Sequence, residues 1–202
     1  MTEILLVRHG QSVWNAQGRW QGQADPPLSS LGIEQASAAA EYLTTQQAFD
    51  AVVTSTLVRA ASTATIIADR LGHDAPFQSQ DLVERNVGEW SGLTRSQIEA
   101  GYPGYLKARK FPPGYEHDEH LFARIELGIG EAVVKLEGGR LLAIVHSGLI
   151  YCIERTLGLS FKHLSNLGGR WISVDEDVNF TLGPRVDLLT NFAGEHTTPA
   201  SM

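Results

Sequence analysis

Apolar residues fall in short blocks separated by polar, glycine-rich stretches. Ile4 to Val7 is a continuous apolar run of strand length that stops at Arg8-His9-Gly10. One short helical turn at Ser12 to Asn15 leads into a polar loop, Ala16 to Pro27, broken by Gly18, Gly22, Asp25, Pro26 and Pro27. Ser29 or Ser30 then caps a helix whose Ile33, Ala36, Ala40 and Leu43 recur at helical spacing. A second run, Asp50 to Thr54, breaks at Ser55-Thr56 into a helical pattern from Leu57 to Leu71, with Gly72 as its stop.

The alternation continues. Phe77 to Leu82 reads as a weak extended segment, and the loop from Glu84 to Gly92 as compact packing over Trp90. Thr94 caps a short helix to Ala100, and Gly101 to Gly114 is an excursion over one face of the sheet, with Lys107, Arg109 and Lys110 read as solvated. Leu121 to Leu136 is helical. Leu141 to Val145 is the most apolar strand and ends at His146, before a helix from Gly148 to Leu157. Trp171 to Val174 and Val186 to Leu189 are expected as final strands with a polar loop between them, and Gly194 to Met202 as a mobile tail. Repeated strand-turn-helix units predict one domain over residues 1–202. Its fold class is α/β, a three-layer sandwich with a mostly parallel central sheet and helices on both faces.

Composition adds exclusions. With 202 residues, 43% hydrophobic and 19% charged, the chain has the makeup of an ordinary globular domain rather than a disordered one. Leu141 to Val145 is too short to span a bilayer, and Met1-Thr2-Glu3 lacks the positive start of a targeting segment, so no membrane contact is expected. A lone Cys152 forms no internal disulfide, which makes the reducing cytoplasm the simplest setting. The formal net charge of −7 disfavours nucleic acid, so an anionic substrate must be drawn by a local cluster of arginines.

Open α/β sheets bind ligands beyond the carboxyl ends of their strands. Arg8 and His9 stand at one such end, Arg59 in the helical turn after the second, and His146 at a third, while Glu84 lies in a loop between them. Each has a plain reading by itself, a strand finishing in polar residues or a solvated arginine. Arg59, however, opposes the helix dipole and gains nothing there unless an anion or acidic partner faces it. Two arginines and two histidines in one pocket suit a dianionic phosphate. A carboxylate would repel that phosphate unless it held a proton, which fits Glu84 for giving a proton to a leaving oxygen.

These residues resemble the histidine phosphatase superfamily, whose founding branch is cofactor-dependent phosphoglycerate mutase. Arg8-His9-Gly10 resembles the signature motif, followed in the family's spacing by Asn15, Arg19, Gln21-Gly22, Leu28-Ser29 and Gly32. Ser55-Thr56-Leu57-Val58-Arg59-Ala60 resembles the second arginine motif, Glu84 with Gly88, Trp90 and Gly92 the acid loop, and Val145-His146-Ser147-Gly148 the second histidine motif. The resemblance implies that His9 forms a phosphohistidine, that Arg8, Arg59 and His146 hold the equatorial oxygens, and that Glu84 serves as acid and then base. Asn15, Gln21, Gly22 and Ser147 would contact phosphate or substrate. No cofactor or metal is implied. His117 and His120 are the only candidate metal pair and read better as an exposed helix start.

The branch follows from departures. The mutase acid motif reads Glu-Arg-His-Tyr-Gly, whereas Asn86 and Val87 fill its middle here, and Gly148 stands where the mutase has asparagine. A phosphomonoesterase acting on small metabolites such as sugar phosphates or phosphoglycerate derivatives is therefore expected. A mutase, to which Arg109 and Lys110 bear a faint similarity, and a silent phospho-ligand binder are the alternatives. The natural substrate depends on the loops Ala16 to Pro27 and Gly101 to His120, and a homodimer is left open.

Overall fold

The computed structural model describes residues 1–190 and 192. In order the elements are β1 (Thr2–Arg8), α1 (Val13–Ala16), α2 (Ser30–Thr44), β2 (Ala51–Ser55), α3 (Val58–Leu71), β3 (Phe77–Ser79), α4 (Arg95–Gly101), α5 (Tyr105–Ala108), α6 (Asp118–Lys135), β4 (Arg140–Val145), α7 (Ser147–Thr156), β5 (Gly168–Val174) and β6 (Phe180–Asp187). The strands form one sheet in the order β3-β2-β4-β1-β5-β6. The first four are mutually parallel, and β5 and β6 close one edge antiparallel.

The period of two along each strand sorts its side chains onto two faces. Leu5, Val7, Val52, Leu142 and Ile144 pack with Ala40 and Leu43 of α2 and with Ala64 and Ile67 of α3. Their neighbours Ile4, Leu6, Val53, Leu141, Ala143 and Val145 pack with Ile125 and Ile129 of α6 and with Leu149 and Ile153 of α7. Burial on both faces explains why these strands read as unbroken apolar runs. The three-layer α/β architecture expected above is the one observed. Among the described residues no helix is long and apolar enough to cross a membrane.

Three expectations change. The last strand begins at Phe180 rather than Val186 and forms a hairpin with β5. Gly183-Pro184 hid it, because proline is normally excluded from strands. Here β6 is an edge strand with a register shift opposite Arg170 to Ile172, a place that tolerates proline. Ile33, expected on the apolar stripe of α2, is 50% exposed, since the α2 face is carried by alanines. The excursion after Gly101 holds a short helix, α5, that its Pro, Gly and Tyr content obscured. The tail Gly194 to Met202 lies outside the described residues.

Register places the chemistry. Arg8 pairs with Val145 and Thr54 with Ile144, so His9, Ser55 and His146 emerge side by side from three adjacent strand ends.

Candidate active site

His9 is 2% exposed, and its backbone N donates to Val145 O at 3.0 Å. The Asn166 amide donates to His9 O at 2.9 Å. Its ring Nδ1 lies 2.6 Å from Gly10 O, and a carbonyl can only accept, so Nδ1 carries the hydrogen. The Nε2 lone pair is thereby left available, and Arg59 Nε donates to it at 3.2 Å. Thr63 Oγ1 accepts from Gly10 N at 3.1 Å and donates to Arg59 O at 2.7 Å, tying β1 to α3 behind the ring.

Arg59 is fully buried and spends its other contacts on two carbonyls of the Ala16 to Pro27 loop, Gly22 O at 2.9 Å and Ala24 O at 2.8 Å. Burial pushes its pKa down to about 10, leaving it charged at neutral pH. A guanidinium has five N–H groups, so two remain for a ligand. Arg8 donates through Nη1 to Leu164 O at 2.7 Å, while its buried Nε has no partner. His146 Nε2 sits 2.9 Å from Ser55 Oγ, and its buried Nδ1 is likewise unpartnered. Ser55 Oγ already accepts from Leu57 N at 3.1 Å, so it can give its hydrogen to His146 Nε2 and leave Nδ1 as a donor. A buried unpaired donor costs about 1–3 kcal/mol, and an oxyanion has the acceptors to satisfy both.

Glu84 is fixed by two backbone donors, Arg85 N to Oε1 at 2.7 Å and Gly148 N to Oε2 at 3.2 Å. Arg124 on α6 holds its loop, donating to the carbonyls of Asp81, Val83 and Glu84 at 2.8, 2.6 and 3.0 Å. A Cβ at Gly148 would collide with the Glu84 carboxylate, which explains glycine at the second position after His146. Gly148→Ala is therefore expected to keep inhibition by inorganic phosphate while lowering kcat on alkyl phosphates on the order of 10²-fold, the scale of an ångström's misplacement. Steady-state kinetics with alkyl and aryl esters checks this. Equal losses on both would separate Gly148 from proton transfer.

Both histidines are pushed well below the ordinary 6.5, by burial first and then by neighbouring cations, Arg59 above all. Both are thus neutral at pH 7, as a nucleophile must be. The unfolded chain binds protons below about pH 6.5 that the native site refuses, so stability falls as pH drops through that window. Two such histidines predict a loss of about 2–3 kcal/mol between pH 7.5 and 5.5. Urea midpoints at the two values measure it. Asp118 titrates in a lower window: burial would raise it, but Arg155 and Arg85 outweigh that and bring it to about 2.

A cleft of about 940 Å³ opens over this floor. Arg8, His9, Asn15, Gln21, Gly22, Glu84 and Ser147 line it, while Arg59 and His146 are fully buried beside His9, Arg59 donating to its ring and the His146 ring centre 5.2 Å away. All nine residues expected from the sequence therefore belong to one locus. His117 does sit at a helix start, its ring against Phe111 and Tyr115. Among the described residues no three His, Cys, Asp or Glu side chains converge as metal ligands. Sequence reasoning missed Asn166 and Arg124. Both act on backbone carbonyls 40 or more residues away, which leaves no local pattern to find.

The sequence model of the histidine phosphatase superfamily (branch 1) matches residues 4–176. A glucosyl-3-phosphoglycerate phosphatase of Mycolicibacterium vanbaalenii is 43% identical over 179 residues, covering 82% of this chain and 79% of that one. A metal-independent phosphoserine phosphatase of Arabidopsis thaliana is 35% identical over 161 residues, covering 76% and 67%. Among solved structures, a mycobacterial glucosyl-3-phosphoglycerate phosphatase complexed with VO3 superposes with a TM-score of 0.76 at 30% identity, covering 90% of this chain and 97% of that one.

Proposed function

The chain belongs to branch 1 of the histidine phosphatase superfamily, and from that premise we propose that it hydrolyses small phosphomonoesters through a phosphohistidine on His9. The observation that carries the reading is the His9 ring itself, its Nδ1–H spent on Gly10 O and its Nε2 lone pair turned to the Arg59 guanidinium. As substrate enters, Arg59 Nε exchanges that lone pair for a phosphoryl oxygen. Nε2 then attacks phosphorus, the P–O ester bond breaks, and the Glu84 carboxyl proton passes to the leaving oxygen. In the second half Glu84 takes a proton from water, whose oxygen attacks phosphorus. The P–N bond breaks, and phosphate leaves with His9 restored.

Charge on the three non-bridging oxygens is met by Arg8 Nε, His146 Nδ1 and Arg59, through its released Nε–H and its two remaining N–H groups. Asn15, Gln21, Gly22 and Ser147, on the cleft wall, serve the phosphate and the start of the leaving group. Phosphorylated hydroxy acids and their sugar conjugates are the substrate class that the relatives support. The lone, buried Cys152 supports a reducing, cytoplasmic setting, and the net charge of −7 supports a partner set without nucleic acid.

A panel of phosphomonoesters that includes phosphoglycerates tests the reading, with phosphate release and phosphoglycerate isomerisation followed side by side. Release should dominate. Isomerisation outrunning release would overturn hydrolysis in favour of phosphoryl return, that is, a mutase.

A further inference from the structure

Above the phosphate floor the cleft wall is mixed, carrying the cations Arg19, Arg95, Arg109, Lys110 and Arg155 beside a set of apolar side chains. Three exposed large apolar side chains, Phe111 at 40%, Leu159 at 42% and Phe161 at 48%, all stand on its wall. They come from two segments nearly fifty residues apart, the excursion after α5 and the chain after α7. Phe111 stacks on Tyr115 with ring centres 4.1 Å apart and planes within 14°. Phe161 packs edge-on against Tyr151 at 4.9 Å.

That second wall is tied to the phosphate floor. Tyr151 Oη accepts from Leu164 N at 2.8 Å, and Leu164 O accepts from Arg8 Nη1 at 2.7 Å. The apolar rim is thus continuous with the arginine that the reading above gives to the phosphoryl group. Apolar surface left in water gains free energy when covered. At about 940 Å³ the cleft has the size that encloses a drug-sized molecule, far more than a phosphoryl group fills. Stacked aromatics also favour the face or edge of another ring.

We propose that Phe111, Tyr115, Leu159 and Phe161 form a leaving-group subsite that takes a flat aromatic ring joined to the ester oxygen by a short linker. The inference rests on the phosphomonoesterase reading and sets an apolar leaving group against the hydroxy-acid and sugar-conjugate class that the relatives support.

Ethyl phosphate and 2-phenylethyl phosphate share primary alkyl leaving-group chemistry and differ in the ring. Wild type should show kcat/KM on the order of 10-fold higher for the phenyl ester, the gain of one partly buried ring. The ratio should fall toward one in Phe161→Ser and in Leu159→Ser, and persist in Val134→Ser, a still more exposed apolar site off the cleft. Calorimetric binding of both esters to His9→Ala gives the same ratio without turnover. A wild-type ratio near one, a ratio that survives in both rim variants, or preference for a glucosyl-ethyl phosphate over the phenyl ester would overturn the proposal alone. So would a ratio near one with concentration-dependent dimerisation lost in Phe161→Ser, which would assign the rim to a second copy. Hydrolysis of neither ester, with no phosphohistidine, would instead remove the underlying reading.

Discussion

His9→Ala is expected to abolish turnover and the trapped phosphoenzyme together, with kcat falling on the order of 10⁴-fold or more. No other side chain can stand in. His146 keeps one ring nitrogen on Ser55, and its remaining nitrogen must hold a hydrogen to meet the anion. Rapid quench with a labelled ester should show an acid-labile, base-stable phosphoryl group in wild type and none in the variant. Arg8, Arg59 and His146 remain in His9→Ala, so inorganic phosphate or vanadate should still raise its Tm, which distinguishes a missing nucleophile from a collapsed site. A variant that kept more than a per cent of kcat, or carried the label elsewhere, would sink the assignment.

Glu84→Gln is expected to cost about 10²–10⁴-fold on alkyl esters and far less on activated aryl esters. The contrast matters because the substitution has a second effect. Both carboxylate oxygens accept from backbone N–H groups, Arg85 N and Gly148 N, and glutamine offers one oxygen and one NH2. One donor must then face another donor, and some loss independent of the leaving group follows. A plot of log kcat/KM against leaving-group pKa separates the two effects. Loss of proton donation steepens the slope, whereas displacement lowers the whole line. Parallel lines would remove Glu84 from the acid role and leave it as a positioning group.

Much of the fold was legible because its signals are local. Ile4 to Val7 and Leu141 to Val145 lie between two helical layers and read as unbroken apolar runs, while α3 and α6 carry helical spacing with clear stops. Where tertiary context overrode local preference the reading failed. Pro184 is harmless only because β6 is an edge, and Ile33 faces water because the neighbouring alanines suffice. The acid loop was recognised by Glu84, Gly88 and Trp90, but what holds it is Arg124, forty residues away on α6.

The sequence by itself determined the strand ends and the residue types delivered there, Arg8-His9, Arg59 and His146, because a chain pattern of two or 3.6 residues reports its own burial, and its motifs picked out Glu84 in a loop between them. Only the tertiary structure decided which atom of each does what. The lone pair on His9 Nε2 is fixed by Gly10 O and met by Arg59, Arg8 Nε and His146 Nδ1 are left without a partner, and Gly148 makes room for Glu84. Hydrogen-bond partners and excluded volume are set by distances between segments far apart in the chain, and no local pattern encodes those distances.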